Sequence, residues 1–237
     1  MTWYSEWFGE EYLDLYSHRD EEEARKHVTF FRSQFGIIRG PILDLACGQG
    51  RHIREFRTAG YQVTGCDLSW ILLRHGIIDL GPMPVARADM RVLPFADGTF
   101  DALVNFFTSF GYFDEAEENL RTVREMARVL SNGAPFLFDY LNVHRELERL
   151  VEREEKTSEK GTVLIERWFD SASRTFNKRI TIGERRFLER VKGYDLDEIT
   201  AIFAAGGMAI REVYGDFDGG DFGAKSPRLI LLGTRRR

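Results

Sequence analysis

The chain has little cysteine and no long apolar run, and each shortage excludes something. Two cysteines, Cys47 and Cys66, among 237 residues build no disulfide framework and show no zinc-ligand spacing, so no metal is expected. No stretch approaches the roughly 18 consecutive apolar residues that a membrane-spanning helix requires. Basic residues are not in excess. The 33 Lys and Arg against 38 Asp and Glu give a formal charge of −5, which favours neither nucleic acid nor an anionic membrane as partner. Repeats and low-complexity segments are absent. The N-terminal run "MTWYSEWFGEEYLDLYSHRDEEE" is acidic and aromatic, unlike a signal or transit peptide, so a reduced, cytoplasmic setting is the expectation.

What is present is a regular alternation of elements. Residues 20–35 read as a helix, with Asp20 as candidate N-cap, Glu23 three residues on, and Ala24, His27, Val28, Phe31 and Phe35 on one stripe. "PILDLA" is a short buried strand, "RHIREFRTAG" a helix stopped by Gly60, and "YQVTGCDLS" a second strand ending at Asp67. Ser69 caps the helix "WILLRHGII"; "VARADM" and "FDALVNFF" give third and fourth strands. Asp114 with Glu117 reads as a capping box for a helix carrying Leu120, Val123, Ala127 and Leu130, ended by Asn132-Gly133. "APFLFDYLN" is a fifth strand. Strands alternating with helices imply an α/β fold with a doubly wound, mostly parallel sheet. Residues 161–192 alternate apolar and polar instead, as an antiparallel sheet does, while "ERLVEREEKTSEKG" reads as a solvated helix and turn. A capped helix in "YDLDEITAIFAAGG" and two strands in "MAIREVYGDF" and "RLILLGTRR" close the chain and bring the sheet to seven strands. The expected organisation is one domain over 1–237, with a helical segment 1–36 and an antiparallel insertion 145–193 after the fifth strand.

In an open parallel sheet, ligands bind beyond the carboxyl ends of the strands. Asp44, Gly48, Gly50, Asp67, Asp89 and Asn105 to Thr108 all fall at such ends. A dinucleotide would need G-x-G-x-x-G, but Ile53 occupies the place of the third glycine, and Asp44 would repel a pyrophosphate. A Walker A loop is excluded because no Gly-Lys-Ser/Thr follows. The pattern asks for a nucleoside without phosphate but with positive charge, a description S-adenosylmethionine meets.

These residues resemble the class I S-adenosylmethionine-dependent methyltransferases over about residues 37–142. "LDLACGQG" is similar to their D-x-x-x-G-x-G signature, "GCDLS" to their second acidic motif, "ADMRVLPF" to the third and "FDALVNFFTSFGYF" to the fourth. The resemblance implies a Rossmann-like methyltransferase fold with S-adenosyl-L-methionine as cofactor. It further implies Asp67 on the ribose hydroxyls, Asp89 near the adenine amino group, and a cofactor set of Asp44, Ala46, Gly48, Gly50, Asp67, Leu68, Asp89, Met90, Asn105 and Phe106. "FFTSFGYF" and the insertion resemble small-molecule enzymes such as amino-sugar N,N-dimethyltransferases and glycine N-methyltransferase. That implies methyl transfer to nitrogen or oxygen of a small-molecule acceptor. The other reading is a cofactor-binding protein without transferase activity, a sensor or scaffold.

Other residues keep two readings at this stage. His52 is a cofactor or substrate contact, or structural. Trp3, Tyr4, Trp7, Phe8, Tyr12 and Tyr16 form a packing helix or a lid, and the insertion is expected to complete a substrate roof. Cys47 and Cys66 read as small buried spacers, and "RTFNKRITIGERRFLER" as a solvated sheet face. Tyr16, Asp139, Tyr140 and His144 are candidates for a catalytic role, with Tyr214 and Arg228 also near the crevice. No recognisable dyad selects one of them, and the sequence is silent on oligomeric state.

Overall fold

The computed structural model describes residues 2–16, 21–158 and 161–237. Seven strands form the main sheet: β1 (Ile42–Leu45), β2 (Val63–Asp67), β3 (Val85–Arg87), β4 (Ala102–Asn105), β5 (Pro135–Tyr140), β10 (Met208–Tyr214) and β11 (Leu229–Arg235). Their order is β10-β11-β5-β4-β1-β2-β3. All run parallel except β11, which pairs antiparallel with both β5 and β10. β1 and β4 are buried at every position, because helices cover both faces of a parallel sheet. The helices are α3 (Glu21–Phe35), α4 (Arg51–Thr58), α5 (Trp70–Leu80), α6 (Ala116–Val129) and α8 (Leu196–Ala205), with two short ones, α1 (Trp3–Trp7) and α2 (Glu10–Leu15), at the start. The strand order reverses between β1 and β4, so the crevice opens where the glycine loop lies.

Inserted after β5 are α7 (Val143–Glu148) and a four-stranded antiparallel sheet of β6 (Arg153–Ser158), β7 (Gly161–Asp170), β8 (Thr175–Ile182) and β9 (Arg185–Lys192). Trp7 of α1 is buried against Val163, Ile165, Ile180 and Phe187 on one face of this sheet. The N-terminal aromatics also reach the loop after β4: Trp3 meets Tyr112 at 4.9 Å and Tyr4 meets Phe113 at 5.6 Å between ring centroids.

Two readings of the sequence change. Over its described residues the charged run 148–161 is not a helix and turn; it holds the edge strand β6, whose Glu154 pairs with Arg167 of β7 at 2.8 Å. Charges suit an edge strand, which faces water and deters further pairing. Asp114 does not cap α6, which starts at Ala116 with no side-chain cap. Asp114 pairs instead with Arg190 at 2.9 Å, and the buried Asn119 amide turns back to the carbonyls of Phe113 at 2.8 Å and Glu115 at 3.2 Å. The proposed cap Asp20 lies outside the described residues.

Gly76, inside α5, shows why that helix can lie on the glycine loop. A Cβ there would sit 2.1 Å from the Gln49 carbonyl oxygen. Alanine is the better helix former by about 1 kcal/mol, but a clash with backbone cannot be relieved by a side-chain rotation. Gly76→Ala is therefore expected to destabilise by about 2 kcal/mol net, read as a lowered midpoint in urea at unchanged slope. A stabilised variant would show that α5 and the loop do not approach this closely.

Candidate functional site

The ends of β1, β2, β3 and β4 open into a cavity of about 420 Å³, within the range of small-molecule sites. Asp44 stands at its floor. It is only 1% exposed, and its Oδ2 has no hydrogen-bond partner. Burial, reinforced by the neighbouring Asp67 and opposed by Arg51, pushes its pKa up to about 8. An orphaned buried carboxylate oxygen is costly unless a donor arrives.

Next to it, the glycine loop is held open by the second strand. Asp67 accepts from the Gly48 and Ser69 amides, each at 2.8 Å. Burial raises its pKa despite these bonds. Ala46 sits in the left-handed region with φ 58°, and Gly50, at φ 79°, is the N-cap of α4. Asp89 is gripped by Arg91, whose Nη2 lies 2.6 Å from Oδ2. Burial works against its charge, but these bonds win and hold it below the usual carboxylate range.

After β4 the backbone does something unusual: Phe107 (φ 61°) and Thr108 (φ 58°) are consecutive left-handed residues. Asp139, 1% exposed, secures them. Its Oδ2 accepts from the Phe107 amide at 2.8 Å, and its carbonyl accepts from the Thr108 amide at 3.1 Å. Behind this loop, Phe106 stacks on His52 at 4.0 Å, and His52 Nε2 lies 3.0 Å from His27 Nδ1. Burial, followed by Arg228, Arg51 and Lys26, lowers the His27 pKa to about 3, so that imidazole is neutral.

The opposite end of the cavity is made by the N-terminal segment and the insertion. Tyr16, Lys178 and Glu189 meet there. Lys178 and Glu189 face each other across β8 and β9 at 3.2 Å, the Lys178 ammonium donates to the Tyr16 hydroxyl, and the Trp7 indole donates to Glu189. Ser69 ties the segment down: its hydroxyl donates to the Phe8 carbonyl at 2.6 Å while accepting from the Leu72 amide at the start of α5.

Asp44, Ala46, Gly48, Asp67, Leu68, Asp89, Met90, Phe106 and Tyr16 all line the cavity. Six other candidates do not. Gly50 faces Met83, whose sulfur would lie 2.4 Å from an added Cβ, so it serves the turn. Asn105 is buried and donates to the Leu45 carbonyl at 2.7 Å, fixing the end of β1. Asp139 is consumed by the loop after β4. The fully buried Tyr140 donates to the Lys192 carbonyl, and burial pushes its pKa well above the tyrosine norm. His144 is exposed on α7, away from the cavity. Tyr214 bonds Gln34 at 3.1 Å and is not a wall either. Cys47 and Cys66 are buried thiols on the wall; burial pushes Cys66 up to about 12 and Cys47 also well upward, so neither is a nucleophile at neutral pH. The linings contributed by Lys178, Glu189, Asn177 and Tyr112 were not foreseen.

Taken together, four parallel strand ends, a glycine loop and three carboxylates converge on one cavity. Residues 42–133 match the family described as "Methyltransferase domain". The chain is 31% identical over 135 residues to a putative methyltransferase, YqeM, of Bacillus subtilis (strain 168), covering 56% of this chain and 53% of that one. It is 34% identical over 93 residues to the dTDP-3-amino-3,4,6-trideoxy-alpha-D-glucopyranose N,N-dimethyltransferase of Streptomyces venezuelae, covering 39% of this chain and 38% of that one. The chain thus spans about half or less of the length of these curated relatives. Among solved structures, an S-adenosylmethionine-dependent methyltransferase from Clostridium acetobutylicum ATCC 824 superposes with a TM-score of 0.79 at 18% identity, over 95% of this chain and 96% of that one. The S-adenosylmethionine-bound amino pentose methyltransferase CalS10 from Micromonospora echinaspora does so with a TM-score of 0.65 at 21% identity, over 91% of each chain. Among the described residues, no helix is long and apolar enough to cross a membrane, and no group of three or more His, Cys, Asp or Glu could hold a metal.

Proposed function

We propose that the protein transfers a methyl group from S-adenosylmethionine to a nitrogen or oxygen of a small molecule. The observation that carries this reading is the orphaned Asp44 carboxylate on a cavity wall shared with Gly48, Asp67 and Asp89. That donor set fits the cofactor's functional groups: Asp67 for a ribose diol, Asp89 for an adenine amine, and Asp44 for a cationic end. When bound, S-adenosylmethionine supplies a methyl on a sulfonium that is already a good leaving group. The chain's own task is then alignment and exclusion of water. Phe106, Phe107 and Thr108 form the wall beyond the glycine loop. The segment 2–16 and the insertion close over the acceptor as lid and roof, latched through Tyr16, Lys178 and Glu189. An amine acceptor can arrive neutral and needs no base. With Asp139 and Tyr140 committed to structure, and amino-sugar N,N-dimethyltransferases among the relatives, nitrogen is the favoured target.

Asp67→Ala is expected to weaken S-adenosylmethionine binding by about 2 kcal/mol, roughly thirtyfold, in calorimetry. Unchanged affinity would remove the ribose assignment. Release of S-adenosylhomocysteine on addition of primary and secondary amines separates a transferase from a sensor: no turnover with any acceptor, despite tight cofactor binding, would favour the sensor.

A further inference from the structure

Arg228 stands at the edge of the cavity, just ahead of β11, and its guanidinium is only half used. Nε donates to Asp139 Oδ1 at 2.6 Å, and Nη2 donates to the Thr108 hydroxyl at 2.8 Å. Those bonds occupy one side of the planar group. Nη1 has no hydrogen-bond partner among the described residues, while the side chain lines the cavity and is 27% exposed. The group is also held rigidly. The Arg228 amide donates to the Gly215 carbonyl at 2.9 Å. The loop before it is clasped by the buried Asn142 amide, which reaches the carbonyls of Gly223 at 2.9 Å, Ala224 at 3.2 Å and Ser226 at 2.9 Å. A guanidinium fixed along one edge and bare at its end is pre-organised for a planar oxyanion, because the side-chain entropy of holding it has been met already.

Strand spacing indicates which molecule reaches it. Neighbouring strands lie about 4.8 Å apart, so the span from β3, where Asp89 ends the adenine side, to β4 is roughly 14 Å. That length would be taken up by the nucleoside and methionine parts of the cofactor when bound. Arg228 lies beyond it, over β5 and β11. A second guanidinium, Arg51, lines the same cavity.

We infer that Arg228 is a specificity-determining residue for the acceptor, taking a carboxylate on the molecule to be methylated. The inference rests on the methyltransferase reading of the cavity and narrows the substrate class to acceptors that carry an anionic carboxylate. Asp139 and Thr108 aim the guanidinium, and its free end receives the carboxylate oxygens.

The test uses benzoate and benzamide as matched probes, titrated calorimetrically into the full chain saturated with S-adenosylhomocysteine. Wild type should bind benzoate at least tenfold more tightly than benzamide. Arg228→Gln paired with Asp139→Asn, which leaves no unpaired charge, should erase that preference while S-adenosylhomocysteine affinity stays within twofold. Arg228→Lys, which keeps the ion pair but not the fork, should lose most of the preference and so guards against a double variant that fails to fold. Equal binding of the two probes by wild type, or a preference that survives both variants, overturns the inference. So does a tenfold loss of S-adenosylhomocysteine affinity in Arg228→Lys, which would place the guanidinium on the cofactor's own carboxylate. Failure of wild type to bind S-adenosylhomocysteine at all would instead overturn the methyltransferase reading.

Discussion

Asp44→Asn is expected to weaken S-adenosylmethionine binding by about a hundredfold at pH 8, close to 3 kcal/mol, and to abolish its pH dependence. The reasoning starts from a buried acid with one unpartnered oxygen and a pKa near 8. At pH 7 this group is mostly protonated before ligand arrives. A cation placed beside it favours the charged form, so binding drives its proton off. The apparent affinity of wild type should rise about tenfold per pH unit up to about pH 8 and level above it. Calorimetry at pH 7 in buffers of different ionisation enthalpy should register close to one proton released. Stability without ligand runs the other way. The folded pKa lies above the ordinary 3.8, so the unfolded chain gives up its proton first as pH rises. Wild type therefore loses stability between about pH 4 and pH 8, a slope the asparagine variant lacks. A wild-type affinity that is flat from pH 6 to 9 would mean that Asp44 is already ionised and that its partner has been misassigned.

Much of this site could be read in the sequence because the chemistry sits at strand ends. Buried runs such as "ILDL" and "ALVN" fix both the element and the place where its last polar residue must emerge. Hence Asp44, Asp67 and Asp89 could be placed on one crevice before any coordinates. The same logic does not supply the partners of Asp139 and Tyr140. A strand end tells where a side chain emerges, not what meets it, and their partners, Arg228 and Lys192, come from 89 and 52 positions further along the chain. The partner of Asn105 is hidden for the same reason, since only pairing of β1 with β4 turns its amide onto Leu45. The Lys178–Glu189 pair was legible in principle. Gly183 and Glu184 form a two-residue connection between Ile182 and Arg185, and counting back from that hairpin sets Lys178 opposite Glu189. Alternation alone gave the strands but not the face that looks into the cavity, so the segment passed for a solvated surface. β6 escaped notice because its apolar content is too low for either period. Its identity is set by pairing with β7, a tertiary effect that overrides local propensity.

Asp139→Ala is the substitution expected to cost most in stability, about 3 kcal/mol. Two groups lose their acceptor at once: the Phe107 amide through Oδ2, and the Arg228 guanidinium, which in turn steadies Thr108, through Oδ1. A guanidinium left without its carboxylate in a largely buried place is a larger penalty than the missing bond alone. Backbone strain decides how the loop responds. Two successive non-glycine residues in the left-handed region cost about 1–2 kcal/mol each, and they persist only while Asp139 over-determines the loop. Released, Phe107 and Thr108 can relax toward the right-handed region, which moves the Phe106–Ser109 wall of the cavity. The expected result is therefore a double one: a melting temperature lower by roughly 10 °C, and an S-adenosylhomocysteine affinity reduced even at temperatures where the variant is fully folded. Asp139→Asn separates the two contributions. It keeps an acceptor for the Phe107 amide and so should preserve the wall, while losing the ion pair to Arg228. If Asp139→Ala melts within a degree or two of wild type, the left-handed pair is held by the loop's own packing and Asp139 is not its anchor.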